Sequence, residues 1–351
     1  MRSIKKICLL AALVSTAFGA HAQNKKWWPI DVFDGSSPGK VVKYSPLEKA
    51  QKPWRICVLF PHMKDSYFTA VNYGIVEEAR RLGVSVSVFE AGGYDQLPRQ
   101  ISQFDDCRAS NFDAIIVGAI SEAGLKQKLE EAAAAKKPVI ATANPIMNAP
   151  IAGRAYNSFQ NAGANTGKAL LEKLKGAPAK AVTFPGPQGS GFAEALRDGF
   201  VGTLKGSKVE ILDQKFGDTG VSVQMRLVQD ALQTHPKMNV IWGTAPTAEA
   251  AVTAVSEAGR DDIVILASYE NQAMLDAVKR NEIFGFATGY PVLTGRIALD
   301  MAVRNLEQKN THTFVHPIPG FVSKDTVGKT DLSLVFAPAS FKPVYKVEAG
   351  K

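Results

Sequence analysis

The sequence is poor in the residues that build metal centres. It contains three cysteines and five histidines among 351 residues, and no CxxC pair or histidine-rich cluster occurs along the chain. Protein sites for metals such as zinc use closely spaced ligands of these types. The sequence therefore gives no metal signature, and we expect no cofactor.

A long apolar run is also lacking. The apolar run 7–18 is too short to span a bilayer as a helix, and no later stretch reaches the roughly 18 apolar residues of a membrane span. The run follows a short basic segment, residues 2–6, and precedes Ala20-His21-Ala22, which has the small-x-small form of a signal peptidase site. These features predict a signal peptide over 1–22, an exported chain that begins at Gln23, and no membrane span after cleavage.

Basic residues are not concentrated in any part of the chain. Lys and Arg outnumber Asp and Glu by 41 to 33, but the two signs are interspersed rather than separated into a basic stripe with aromatic residues. Nucleic-acid-binding surfaces concentrate their positive charge. A nucleic-acid partner is therefore not expected.

Enzyme motifs are missing as well. The loop 185–191 (PGPQGSG) lacks the Gly-Lys-Ser/Thr ending of a phosphate loop and does not fit G-x-G-x-x-G. Ser190 lies between two glycines, but a nucleophile elbow needs glycine where Gln188 stands. The loop is either a tight turn or a set of backbone N–H groups that hold an anion or a ligand oxygen. The sequence predicts a protein that is not an enzyme.

From Trp54 onward, apolar strand patterns alternate with helical patterns. This alternation predicts parallel sheets covered by helices on both faces. The stretch 144–154 contains Pro145, Pro150 and Gly153 and no helical pattern, which predicts a crossover between two lobes. The predicted fold class is α/β, with two doubly wound parallel-sheet lobes joined by a hinge.

The predicted boundaries follow from these changes of pattern. An extended N-terminal arm covers 23–50 and a tail covers 336–351. The N-terminal lobe comprises 51–150 plus 290–311, and the C-terminal lobe comprises 151–289 plus 312–335.

The loops after the predicted strands are the candidate binding site. Ligands of open parallel sheets bind beyond the carboxyl ends of the strands, and two facing lobes form a cleft that can close by hinge bending. Aromatic faces suit methyl groups and positive charge through cation–π attraction, although core or rim packing is an equally open interpretation for any single ring. The aromatic residues at these loops are Tyr67, Phe68, Tyr94, Trp242, Tyr269 and Tyr290.

Export leaves Cys57 and Cys107 as the two cysteines of the processed chain. An even pair in an oxidising compartment is compatible with a disulfide. Two buried free thiols are also compatible with the sequence, because cysteine is commonly buried.

Several motifs resemble those of the TorT family of type I periplasmic binding proteins, within the ribose-binding-protein-like group. The likeness covers nearly the whole processed chain. The motifs are the run from Cys57 through FPHMKDSYF (60–68), Asn72-Tyr73-Gly74, EAGGY (90–94), the segment around Cys107, Gly243-Thr244-Ala245 and FKPVY (341–345).

The resemblance implies a periplasmic protein that binds trimethylamine N-oxide and docks on the periplasmic sensor domain of a membrane histidine kinase of a two-component system. It also implies a Cys57–Cys107 disulfide. Where the family has a tryptophan after the crossover, a one-residue shift makes Phe159 the aromatic substitute, and without that shift the tryptophan is lost. The ligand-binding residues that we predict from the resemblance and from the loops are Tyr67, Phe68, Tyr94, Phe159, Thr244, Tyr269 and Tyr290.

Two other functions stay open on the sequence. One is a sugar-type solute-binding protein of an ABC importer, for which the loops offer Arg154 and Asn157 but few paired acidic and basic groups. The other is a protein-docking module with a vestigial cleft. Competition by methylated amines or by sugars separates the first two functions, and docking without any ligand effect identifies the third.

Overall fold

Two sheets covered by helices make up the structure, a computed structural model that describes residues 26–350. The predicted signal peptide lies outside the described residues. The nine-stranded sheet has the order β15-β4-β3-β5-β6-β7-β13-β1-β2, and the six-stranded sheet has the order β14-β12-β11-β10-β8-β9. The strands are β1 (Ile30–Asp34), β2 (Val41–Tyr44), β3 (Arg55–Phe60), β4 (Ser85–Glu90), β5 (Ala114–Val117), β6 (Val139–Thr142), β7 (Gly153–Ala155), β8 (Ala179–Phe184), β9 (Val209–Gln214), β10 (Val240–Gly243), β11 (Val264–Ala267), β12 (Gly285–Thr288), β13 (Phe314–Pro317), β14 (Gly320–Val322) and β15 (Lys346–Val347).

Helices connect most of the parallel strands, and local sequence explains several of their ends. The Asp65 carboxylate accepts a hydrogen bond from the Tyr67 backbone N–H at the start of the first helix, and Gly83 ends that helix with φ 76°. The helices are α1 (Ser66–Leu82), α2 (Leu97–Ala109), α3 (Glu122–Ala134), α4 (Phe159–Leu174), α5 (Phe192–Leu204), α6 (Val221–Thr234), α7 (Ala245–Glu257), α8 (Gln272–Arg280) and α9 (Pro291–Leu306). No helix within residues 26–350 has the length and apolar character needed to cross a bilayer.

The central strands are parallel and buried on both faces, which confirms the predicted fold class. All four residues of β5 (AIIV) and of β10 (VIWG) are buried, as expected for strands covered by helices on both sides. Trp242 on β10 stacks on Phe200 at 4.4 Å between ring centroids and donates its indole N–H to Thr166 Oγ1 at 2.8 Å. This tryptophan is therefore a core residue of the second lobe.

The chain crosses between the two sheets through three short connections, and after β14 it returns to the nine-stranded sheet at β15 through the longer segment 323–345. It passes from β7 to α4 through 156–158, from β12 to α9 through 289–290, and from β13 to β14 through 318–319. Because α9 packs on α1 and on strands of the nine-stranded sheet, the helix belongs to the first lobe. The three crossovers together form the hinge.

The lobe boundaries differ from the sequence prediction at two short strands. β7 pairs with β6 and β13 pairs with β7 in the nine-stranded sheet, whereas the sequence pattern assigned 151–155 and 312–317 to the second lobe. Strands this short lack a hydrophobic pattern of their own, and backbone pairing alone places them. The arm and the tail also contain strands: β1 and β2 form a hairpin that extends the same sheet, and β15 pairs with β4.

Cys57 on β3 and Cys107 on α2 form a disulfide, with 6.0 Å between their Cα atoms. Both residues are buried. The bond confirms the pairing that the family resemblance implied, and it ties a central strand of the first lobe to the helix that covers it.

Candidate ligand-binding site

A small cavity of about 20 Å³ lies between the two lobes. Each lining residue lies either in a loop after the carboxyl end of a strand or at the start of the helix that follows such a loop. This is where ligands bind to open parallel sheets. The lining residues of the first lobe are Asp65, Tyr67, Phe68, Tyr94, Ala143 and Asn144, and those of the second lobe are Phe159, Phe192, Thr219 and Tyr269.

Six aromatic rings form most of the wall, and we call them the aromatic cage. They are Tyr67, Phe68, Tyr94, Phe159, Phe192 and Tyr269. Rings from opposite lobes meet directly: Tyr67 contacts Tyr269 edge-on at 5.5 Å between centroids, and Tyr94 contacts Phe192 at 5.8 Å. The cage is therefore complete only when the lobes are closed.

One carboxylate lies inside this aromatic surface. Asp65 Oδ1 accepts hydrogen bonds from the Tyr67 N–H at 3.0 Å and from Asn271 Nδ2 at 3.3 Å, and its Oδ2 accepts one from the Tyr269 hydroxyl at 2.8 Å. Burial raises the pKa of Asp65 to about 6, although these hydrogen bonds act in the opposite direction. Within the described part of the chain, residues 26–350, no lysine or arginine lines the cavity.

Further hydrogen bonds join the lobes beside the cage. His62 Nε2 lies 3.0 Å from Thr219 Oγ1, and the Ser66 hydroxyl oxygen accepts from the Gln272 N–H at 3.1 Å. His62 is fully buried, and burial lowers the pKa of its imidazole to about 4. The ring is consequently neutral near pH 7. The Tyr94 N–H donates to the Asp218 carboxylate at 3.3 Å.

The polar atoms of the lining differ in what they can offer to a ligand. Asn144 Nδ2 donates to the Ala119 carbonyl at 2.7 Å, and its Oδ1 accepts from the Tyr94 hydroxyl at 3.2 Å. Thr219 is engaged with His62. The Tyr67 hydroxyl has no hydrogen-bond partner among residues 26–350. It is the lining hydroxyl that is available to donate to a ligand oxygen.

The structure brings five of the seven predicted residues together at the cavity. These are Tyr67, Phe68, Tyr94, Phe159 and Tyr269.

Thr244 and Tyr290 lie outside the cavity. Thr244 is buried as the N-cap of α7, where its hydroxyl is 2.7 Å from Thr247 Oγ1. Tyr290 occupies the second crossover with φ 56° and precedes α9. Cap and hinge geometry therefore decide the position of these two side chains.

Apart from Ala143, four lining residues were not selected from the sequence as ligand-binding residues. They are Asp65, Asn144, Phe192 and Thr219. Phe192 had a usable signal, because it is an aromatic residue directly after the glycine-rich loop at the carboxyl end of β8. Thr219 lies in the loop after β9, where Phe216 is the one aromatic residue. Nothing in the local sequence pattern therefore distinguished Thr219 from its neighbours.

Comparison with known proteins gives consistent matches. Residues 56–310 match the family model of the periplasmic binding protein domain. Over 302 residues the chain is 31% identical to the periplasmic protein TorT of Escherichia coli (strain K12), covering 85% of this chain and 86% of TorT.

Two solved structures are also similar. One is an ABC transporter solute-binding protein from Bradyrhizobium sp. BTAi1 with bound Bis-Tris, at 43% identity and a TM-score of 0.77, covering 91% of this chain and 99% of that chain. The other is the complex of the TorS sensor domain with TorT in the presence of trimethylamine N-oxide (TMAO), at 26% identity and a TM-score of 0.75, covering 83% and 99%.

Proposed function

Because the chain belongs to the periplasmic binding protein family and is a relative of TorT, we propose that it senses a small ligand in the periplasm and regulates a membrane sensor kinase. The proposed ligand is trimethylamine N-oxide or a related small amine oxide, which the protein holds without transforming it. The proposed partner is the periplasmic sensor domain of a histidine kinase in a two-component system. The aromatic cage is the observation that carries this proposal.

The chemistry of the cage matches an amine oxide at both ends of the ligand. The methyl groups carry the positive end of the N–O dipole, and aromatic faces attract such groups by about 0.5–2 kcal/mol per contact. The oxygen needs a donor, which the unpaired Tyr67 hydroxyl supplies. Asp65 adds negative charge beside the methyl-binding surface.

The size of the cavity adds a condition. A volume of about 20 Å³ has room for roughly one water molecule, so trimethylamine N-oxide fits only after cage side chains or lobes move. A movement of the lobes changes their relative orientation. A kinase sensor domain that contacts both lobes would then bind the two orientations with different affinities. The complex of TorT with the TorS sensor domain supports a partner of this kind.

Calorimetric titration of the exported protein with trimethylamine N-oxide tests the ligand, with trimethylamine and ribose as comparisons. We expect saturable binding of the oxide and weaker or no binding of the other two compounds. Binding of ribose alone would overturn the proposal. A second measurement, the affinity of the protein for the kinase sensor domain with and without the oxide, tests whether the ligand regulates docking.

The second candidate function is a solute-binding protein of an ABC importer. The 43% identity to a transporter solute-binding protein favours it. A sugar site, however, needs several free polar groups to bracket hydroxyls, and Asp65, Asn144 and Thr219 already have protein partners. Saturable binding of a pentose or hexose, with no effect of methylated amines, would favour this function.

A further inference from the structure

A second, wider space lies on the hinge side of the aromatic cage. This groove encloses about 1360 Å³ and opens to solvent. Its wall includes the first and third crossovers of the hinge, through Tyr156 and Pro319, and the tip of the β1–β2 hairpin, through Pro38. Phe159, the first residue of α4, lines both this groove and the small cavity of the cage. Among the described residues, Phe159 is the one that the two linings share.

The other flanks of the cage are closed by hydrogen bonds between the lobes. Asp65 accepts from Tyr269 at 2.8 Å, and His62 lies 3.0 Å from Thr219. Two further bonds join Tyr94 to Asp218 and Ser66 to Gln272. Entry along these flanks requires the lobes to separate and several buried polar groups to lose their partners together.

Phe159 closes its flank by ring contacts alone. Its side chain is apolar, lies parallel to Tyr156 at 6.3 Å between centroids on the groove side, and meets Phe192 at 5.8 Å on the cage side. Rotation of the ring toward the groove breaks no hydrogen bond.

We propose that Phe159 is the gate between the hinge groove and the aromatic cage, and that a small ligand enters past this ring while the hydrogen bonds on the opposite flanks stay intact. The inference rests on the proposed function in so far as the cage holds the ligand. Phe159 then has two roles: its face contacts the methyl groups of a bound amine, and its rotation sets how fast the ligand exchanges. Phe192 has the first role only, because it lines the cage and not the groove.

Access to the cage can be measured without any ligand. In an Ala143→Cys variant, a thiol lines the cavity and no hydrogen bond between the lobes is removed, while Cys57 and Cys107 are held in their disulfide. The rate at which methyl methanethiosulfonate modifies this thiol reports how often the cage is reachable. The same protein without the Ala143→Cys change gives the background rate.

The decisive comparison adds Phe159→Ala or Phe192→Ala to the Ala143→Cys protein. Each change removes one phenyl ring from the same cavity, but only the first opens the wall to the groove. We expect Phe159→Ala to raise the modification rate about tenfold, which corresponds to a barrier lowered by about 1.4 kcal/mol, and Phe192→Ala to leave it within about twofold of the parent. Circular dichroism and thermal melting of all variants establish that they fold.

Equal rates for the two phenylalanine variants would overturn the gate, whether both are slow or both are fast. Phe159→Trp gives a second check, since a larger ring at the gate should slow the modification and an unchanged rate would contradict the proposal. The outcome does not depend on trimethylamine N-oxide. Failure of the oxide to bind would therefore overturn the proposed ligand without deciding the gate, which the thiol reaction decides separately.

Discussion

Tyr67 is the cage residue whose polar group is available to a ligand. Tyr67 lines the cavity, and its hydroxyl has no hydrogen-bond partner among residues 26–350. We expect Tyr67→Phe to weaken binding of trimethylamine N-oxide by about 1 kcal/mol, the net value of a typical hydrogen bond, while the aromatic face remains. Calorimetry checks this, with Tyr73→Phe as the control because Tyr73 packs on Phe341 outside the cage. An unchanged affinity in the folded Tyr67→Phe variant would remove the hydroxyl from the site.

Asp65 predicts a specific dependence of stability on pH. Burial raises the pKa of Asp65 to about 6 from an ordinary value of 3.8, so the folded state binds this proton more tightly than the unfolded state. The resulting stability is fully present below pH 3.8 and is lost as the pH rises through 6. We expect the free energy of unfolding of the wild type, minus that of Asp65→Asn, to fall by about 2 kcal/mol between pH 4 and pH 7.

Urea unfolding at several pH values measures this difference. His62 acts in the opposite direction, because burial lowers the pKa of its imidazole to about 4 and acid then costs stability. The histidine is present in both proteins, so its contribution cancels in the difference. Asp261→Asn, the same replacement at an exposed position, is the control for the substitution itself. A flat difference for Asp65→Asn would show that this carboxyl titrates normally.

Among the elements, the crossing of α4 and α5 places the two phenylalanines of the second lobe. Phe159 and Phe192 are the first residues of these helices, and the helices approach so closely that a Cβ at Gly163 would meet the backbone carbonyl of Leu196. We expect Gly163→Ala to lower the free energy of unfolding by about 1–3 kcal/mol, because the helices must separate.

Gly202→Ala is the matched control for this crossing. Gly202 also lies in α5, and a Cβ there has no neighbour within 4 Å, so alanine should stabilise the protein by about 0.5–1 kcal/mol. Urea denaturation curves of the two variants and the wild type give the change in the free energy of unfolding for each substitution. If both alanines had the same effect, the close approach of the two helices would not be a constraint on the fold.

The elements also show how far the sequence determines the fold. Strands such as β5, residues 114–117, are the continuous apolar runs on which the predicted alternation rests, because burial on both faces leaves an unambiguous pattern. β7 and β13 were assigned to the wrong lobe because three or four residues carry no periodicity and only pairing with a neighbour places them.

The candidate site could be predicted from the sequence only in part, for a related reason. Tyr67 and Phe68 were selected because they lie at the end of the loop that follows β3, at the edge of the sheet where loops converge. Thr244 satisfies the same rule, yet its hydroxyl caps α7 and does not reach the cavity. Phe192 was not selected although it directly follows the glycine-rich loop after β8; only its contact with Tyr94, which depends on how the two lobes face each other, was beyond the local pattern.

At the scale of the whole molecule, the closed arrangement depends on a few polar contacts around one buried acid. The Tyr269 hydroxyl of the second lobe donates to Asp65 Oδ2 of the first lobe at 2.8 Å. Tyr269→Phe leaves this carboxylate oxygen without its donor, which costs about 1–3 kcal/mol when the group stays buried. Separation of the lobes relieves that cost by giving the oxygen access to water.

We therefore expect Tyr269→Phe to shift the protein toward an open form, with a larger radius of gyration in small-angle X-ray scattering than the wild type. The shift should be greater at pH 8 than at pH 5. The pKa of Asp65 is about 6, and a neutral carboxylic acid loses less than a carboxylate when its hydrogen-bond donor is removed. Tyr73→Phe removes a hydroxyl far from the lobe interface and should scatter like the wild type at both values. Identical scattering of Tyr269→Phe and the wild type at pH 8 would mean that aromatic contacts, rather than this hydrogen bond, hold the lobes together.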